Sequence, residues 1–379
     1  MKISDIRISV FELPGNTSRF DLEEEAAAGH RRWQHKHHSR TSEQIHVLHV
    51  HTDAGIEGIC TVGDARYTTM RCEDLEQLRI LVVGQNPFDR ERLDEKLHLA
   101  TRSIFTRPGW YGAFDNCLWD IAGKTANLPV CELIGRSRSS CPAYYNVNSA
   151  SIESAVESAQ QALALGFPAL KDHFHFDFRE NIRAFAAVRA AVGPDIPLFH
   201  DAATCQYTYQ EALRVGRALE ELDFTWFEEP LEDRDQIGLQ NLCARLDIPI
   251  LAPETLMHDV DLSGLWLRSG AVDLLRTNAR HGTTSQLKLA HLAQLHGTTV
   301  ELNGPGGLFG LVHAHLVCAL ANTSYYEYFP GGSRDELGKE IGLLNPPLPQ
   351  NGHISPPDGP GWGAEWDREY FEKKRVAEL

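Results

Sequence analysis

The chain contains no Cys-x-x-Cys pair. Its eight cysteines, Cys60, Cys72, Cys117, Cys131, Cys141, Cys205, Cys243 and Cys318, are scattered through 379 residues. That spacing does not make a disulfide framework and reads as thiols in a reducing cytoplasm. Positive charge is also scarce. Lys and Arg number 36 against 52 Asp and Glu, a formal net charge of −16. This argues against a nucleic-acid partner, because neutralising phosphates takes a basic surface. It does not exclude a small anionic substrate, since a pocket can be locally positive or hold a metal. No apolar run approaches the roughly 18 residues of a membrane span. "MKISDIRISVFEL" carries charges where a signal peptide needs an apolar core. The expectation is a cytoplasmic protein with no membrane partner. The remaining composition, 42% hydrophobic and 23% charged, is that of a globular chain long enough for two domains.

The N-terminal part alternates like β structure in "KISDIRISVFEL" and "EQIHVLHVHTDAGIEGICTV". The polar stretch between them, rich in His and Arg, reads as a long mobile loop. Residues from about 72 to 134 read as helices. From about residue 142 short apolar runs alternate with helical patterns. The runs are "PAYYNVN", "PALKDHF", "IPLFHD", "FTWFEEP", "IPILAPE", "VDLLRTN", "TTVELN" and "SYYEYF". Such alternation implies a parallel sheet, and eight units imply a (β/α)8-type barrel in an α/β fold. The expected division is 1–138, 139–330 and a Pro- and Gly-rich tail, 331–379, that returns to the N-terminal domain.

In such a barrel the chemistry lies at the C-terminal ends of the strands. The last polar residues there are Lys171 and His173, Asp201, Glu228, Glu254, Asn278, Asn303 and Glu327. From Asp201 onward the steps are 27, 26, 24, 25 and 24 residues, one polar group per unit. Three successive strands end in carboxylates. Unpaired around one mouth they would repel each other, and a divalent cation removes that penalty. All-oxygen ligands favour a hard ion such as Mg²⁺. Asp201, Glu228 and Glu254 are therefore the expected metal ligands. Alternation lets only one of Glu228 and Glu229 face the mouth, and Glu228 is chosen; Glu229 is expected to support from the side or to pair with a lysine.

In "ALKDHFHF" Lys171 and His173 share a face, and Asp172 points the other way. A metal beside such groups suggests removal of the proton next to a substrate carboxylate, with the extra charge of the enediolate falling on the ion. Either Lys171 or His173 could be the base.

These residues resemble the enolase superfamily, in its mandelate racemase-like group. The likeness rests on "DNCLWDIAGKTANLPVCELIG", "FHD", "WFEEPL", "APE" and "NGHISPPDGPGWGAEWD", and it spans nearly the whole chain. It implies an α+β capping domain over the barrel, built from the N-terminal region and the C-terminal tail. It also implies Mg²⁺ on Asp201, Glu228 and Glu254, loops at about 15–40 and 62–69 closing over substrate, and a homo-oligomer. Many relatives of this kind are sugar-acid dehydratases. Where the family often has Lys-x-Lys, this chain has Lys171-Asp172-His173. Where members with a second base often carry Asp and His, it has Asn278 and Asn303, which transfer no proton. Glu327 matches the strand-8 acid.

The expectation is thus a one-sided hydro-lyase acting on a sugar acid. An epimerase or cycloisomerase of a related carboxylate, and an acid-sugar-binding protein without turnover, stand as alternatives. Lys171, His173, His281 and Glu327 are the catalytic candidates, His281 as a second acid or base. Asn278, Arg280, Asn303, His35 and Arg66 are the candidates for binding substrate.

Overall fold

Apolar alternation builds the first sheet. Ile6, Ile8 and Val10 are buried on β1 (Ile3–Thr17), which pairs antiparallel with β4 (Arg40–Thr52), and β4 with β5 (Glu57–Thr61). The computed structural model describes residues 1–17, 22–27, 30–35, 40–62, 70–100, 110–203, 205–256, 259–304, 308–331 and 336–379.

The stretch expected to be a loop is partly a hairpin. β2 (Leu22–Ala27) and β3 (His30–His35) pair antiparallel, with Glu25 opposite Arg32 and Glu24 opposite Trp33. The sequence of this hairpin has no apolar alternation to reveal it. A hairpin without an apolar stripe is invisible to a periodicity argument.

Helices α1 (Cys72–Val82), α2 (Arg90–Ala100), α3 (Trp110–Ala126) and α4 (Val130–Ile134) follow. Helix α3 is buried along most of its length and meets the barrel at a 3₁₀ turn, Ala279–His281. Gly112 permits this approach: a Cβ there would lie 1.8 Å from the carbonyl oxygen of Arg280. Asn116 Nδ2 donates to the carbonyl of Ala279 at 3.0 Å. Asp115 accepts from the backbone N–H and hydroxyl of Thr284 at 2.8 and 2.6 Å.

All eight expected barrel strands form. They are β6 (Cys141–Asn146), β7 (Ala169–Asp172), β8 (Leu198–Asp201), β9 (Trp226–Glu228), β10 (Ile250–Ala252), β11 (Leu274–Thr277), β12 (Val300–Leu302) and β13 (Tyr326–Tyr328). Their order is β12-β11-β10-β9-β8-β7-β6-β13, and each of these neighbouring pairs is parallel. Between them run α5 (Ile152–Ala164), α6 (Phe178–Val192), α7 (Tyr209–Glu221), α8 (Gln236–Cys243), α9 (Val260–Arg268), α10 (Thr283–Leu295) and α11 (Phe309–Ala319). Ser151, Asp177, Thr208, Asp235 and Asp259 cap the first five with side-chain oxygens. Each cap ends the preceding loop at a defined place and satisfies an orphan N–H.

The tail closes the structure. β14 (His353–Ile354) pairs with β6. Trp362 then donates its indole N–H to the carbonyl of Asn116 at 2.9 Å. After α12 (Arg368–Lys374), β15 (Arg375–Glu378) pairs with β1. Among the described residues no helix is long and apolar enough to cross a membrane.

Candidate active site at the barrel mouth

The inward positions at the strand ends assemble a cluster of buried charge. Lys171 on β7 is fully buried. Its Nζ lies 3.1 Å from Asp201 Oδ2, 3.1 Å from Glu228 Oε2 and 2.5 Å from Glu327 Oε1. A second cation enters from β11. Arg276 Nη2 lies 2.8 Å from Glu228 Oε1 and 2.7 Å from Glu327 Oε2, and its Nε lies 3.4 Å from Glu254 Oε2. Glu228 and Glu327 each give one oxygen to each cation. The four side chains therefore close a ring of alternating charge, with Asp201 attached at the lysine and Glu254 at the arginine.

Two cations against four carboxylates leave a formal charge of −2 in a buried place. The titration directions follow. Burial pushes Lys171 down, but Glu228, Glu327, Tyr144 and Asp201 around it hold it well above its ordinary value. Burial pushes Asp201 up, but Lys171 and His173 hold it well below the usual carboxylate range. Glu228 is pushed up to about 8, chiefly by burial and with Asp201 and Glu327 adding to the rise. Glu229 is buried too, at a left-handed φ of 47°. The expected lysine partner is not there: among the described residues Glu229 makes no ion pair. Burial and the nearby Glu254 and Asp233 push its carboxyl well above the usual range.

His173 stands just beyond β7. Its side chain is 35% exposed, and Nε2 lies 3.1 Å from Asp201 Oδ2. It lines a groove of about 1010 Å³ with Asn146, Tyr328 and Phe329. Its backbone N–H donates to Ser149 Oγ at 2.9 Å. Asp172 points to the other side, as alternation requires. There it meets His200 of β8, whose Nδ1 is 2.7 Å from Asp172 Oδ1. Burial pushes His200 down, but Asp172 outweighs it and raises the imidazole to about 10. A buried ion pair thus ties the backs of the strands carrying Lys171 and Asp201.

Asn278 and Asn303 are brought together: Asn278 Nδ2 donates to Asn303 Oδ1, and Asn278 Oδ1 accepts the backbone N–H of Arg280 at 2.7 Å. They bridge neighbouring strands, while Asn303 Nδ2 has no acceptor among the described residues. Arg280 is buried in the 3₁₀ turn. The backbone of His281 ends that turn and that of His35 ends β3, but their side chains, and all of Arg66, lie outside the described residues.

Arg276 and Asn146 join the site without being among the residues expected there from the sequence. Asn146 Nδ2 donates to Glu327 Oε1 at 3.3 Å. The signal for Arg276 was in "VDLLRTN", two residues before Asn278 and so on the same face. Arg276 is not the last polar residue of its strand, so its position at the strand end does not mark it.

The donor set suits a hard divalent ion. Asp201, Glu228 and Glu254 supply only oxygen, and the surplus charge of the cluster is of the size such an ion would cancel. Among the described residues no three His, Cys, Asp or Glu side chains converge by themselves as a metal-holding group. Lys171 and Arg276 stand between them.

Residues 24–135 match the family described as mandelate racemase / muconate lactonizing enzyme, N-terminal domain, and residues 154–370 match the enolase C-terminal domain-like family. A D-galactonate dehydratase family member of Catenulispora acidiphila is 29% identical over 85% of this chain and 82% of its own. The D-galactarolactone cycloisomerase of Agrobacterium fabrum is 31% identical over 78% of this chain and 82% of its own. The crystal structure of D-glucarate dehydratase from Agrobacterium tumefaciens complexed with magnesium is 28% identical. It covers 100% of both chains with a TM-score of 0.82. With both domains matched in order and the strand-end carboxylates in register, the chain belongs to the enolase superfamily, in its mandelate racemase-like group.

Proposed function

We propose that the chain is a Mg²⁺-dependent dehydratase of a sugar acid. The observation that carries this reading is the charge cluster at the barrel mouth: three carboxylates from consecutive strands, a surplus negative charge, and a histidine held against the first of them. Asp201, Glu228 and Glu254 would hold the ion. When bound, it supplies positive charge where a substrate carboxylate becomes more negative.

His173 is the base in this proposal. Asp201 holds its Nε2, which leaves Nδ1 to accept the proton from the carbon beside the substrate carboxylate. Lys171 has three carboxylate oxygens around its three N–H donors and is held as a cation, so it orients and neutralises. Once protonated, the same imidazole is the acid at hand for the departing β-hydroxyl. Loss of water gives an enol that tautomerises to a 2-keto-3-deoxy acid. The Asn278–Asn303 pair transfers no proton, which favours this one-sided chemistry over a two-base racemisation. The polar, His- and Arg-rich β2–β3 region favours a polyhydroxylated substrate. The names of relatives, which include sugar-acid dehydratases, support the same reaction class.

A library of acid sugars with Mg²⁺, assayed for 2-keto acid formation, tests the proposal. Solvent deuterium incorporation at the α-carbon without loss of water would move the assignment to an epimerase. Ring opening or closure of a lactone would move it to a cycloisomerase, the activity for which the relative from Agrobacterium fabrum is named. Ligand binding with no turnover of any acid sugar would favour a non-catalytic binding protein.

A further inference from the structure

We infer that Arg276 is a built-in counter-ion of the carboxylate cluster, a positioning residue that assembles Glu228 and Glu254 before an ion arrives and weakens the grip on that ion. The inference rests on the reading of Asp201, Glu228 and Glu254 as metal ligands.

The strand places the residue. Arg276 on β11 and Asn278, the extended residue just past its end, alternate onto the same side, and Arg276 lies two residues deeper in the barrel. Its side chain is buried at the level of Tyr144, whose hydroxyl lies 3.4 Å from Nη1. A guanidinium does not lose its proton in proteins, so this charge is permanent. Its planar fork spans acids from three strands: Glu228 on β9, Glu254 after β10 and Glu327 on β13. Nε meets Glu254 part-way along the side chain while Nη2 meets Glu228 and Glu327 at its end, and a lysine at this position has no donor to offer at the Nε place.

Two consequences follow from one geometry. The fork keeps Glu228 and Glu254 oriented while like charges would otherwise drive them apart. An incoming cation must share those two carboxylates with a positive charge already in contact with them. Repulsion between a fixed monovalent and an incoming divalent charge in a buried site outweighs the help from orientation, because it acts at a separation of a few ångströms in a low dielectric. Lys171 plays the matching part for Asp201, Glu228 and Glu327. Arg276 touches Glu254, the more accessible end of the set, with its side chain 15% exposed.

The test is calorimetric titration of the full chain, stripped with EDTA, with MgCl₂, alongside its thermal midpoint without ion. R276M is expected to bind Mg²⁺ at least about tenfold more tightly than wild type. It should also melt lower in EDTA and gain more from saturating Mg²⁺. R276K keeps the charge and loses the bridge. It is expected to bind Mg²⁺ within about threefold of wild type while also melting lower in EDTA. R276K remains informative if R276M does not fold: tenfold tighter binding by R276K would overturn the charge argument. Unchanged or weaker Mg²⁺ binding by R276M would overturn the inference and leave the metal site standing. Absence of any Mg²⁺ binding by wild type would overturn the metal reading itself, and this inference with it.

Discussion

Replacing Lys171 with methionine removes the ammonium and keeps most of the side-chain volume. Three carboxylate oxygens at 3.1, 3.1 and 2.5 Å lose their cation, and the ring opens. Breaking a buried ion pair from one side costs about 3–5 kcal/mol, because the partners stay buried without compensation. Proton uptake softens that cost. Glu228, already pushed up to about 8, is the group that takes the proton. A carboxyl whose folded pKa lies above its unfolded value contributes stability at low pH and loses it as pH rises through the folded pKa. Losing a neighbouring cation raises that pKa further, so the variant suffers least in mild acid. Urea unfolding in EDTA should show a loss near the upper figure at about pH 9 and a smaller one at about pH 6. Turnover should fall by about 10²–10³, the scale of removing a preorganised charge from a site. A variant as stable as wild type at both pH values, or one that retains turnover, would refute the charge-ring argument.

Three further expectations address other parts of the structure. H173N should lose about 10²–10⁴ in turnover while its urea midpoint stays near wild type, since the ring sits one-third exposed at the rim of the cluster; a loss of tenfold or less would remove His173 as the base. H200Q tests the pair behind the site. His200 is raised to about 10, so its contribution is fully present below about 6.5 and is lost as pH rises through 10. Unfolding midpoints of the variant should lack that part of the alkaline decline, and an unchanged pH profile would show that the pair contributes little. G112A forces a Cβ to within 1.8 Å of the Arg280 carbonyl, so α3 must shift off the barrel. The expected cost is at least about 1–3 kcal/mol by denaturant unfolding, and a neutral result would mean that the joint yields without strain.

Period and order along the chain account for the features legible before folding. Eight apolar runs separated by helical patterns specify a parallel barrel, because each strand must be buried on both faces and each crossover must be helical. Alternation placed Lys171 and His173 on one side and Asp172 on the other, and chose Glu228 over Glu229. The regular spacing brought Asp201, Glu228, Glu254, Asn278, Asn303 and Glu327 to one end. Other features depended on the tertiary structure. The β2–β3 hairpin carries no apolar stripe, so only the register of one strand against the other defines it. Which cation meets which acid depends on the curvature of the sheet. Glu327 on β13 and Lys171 on β7 are far apart in the chain and meet only because both strands flank β6. Arg276 reaches Glu327 across the barrel interior, a distance that no local pattern encodes. Periodicity states which way a side chain points; the curl of the sheet decides what it meets there.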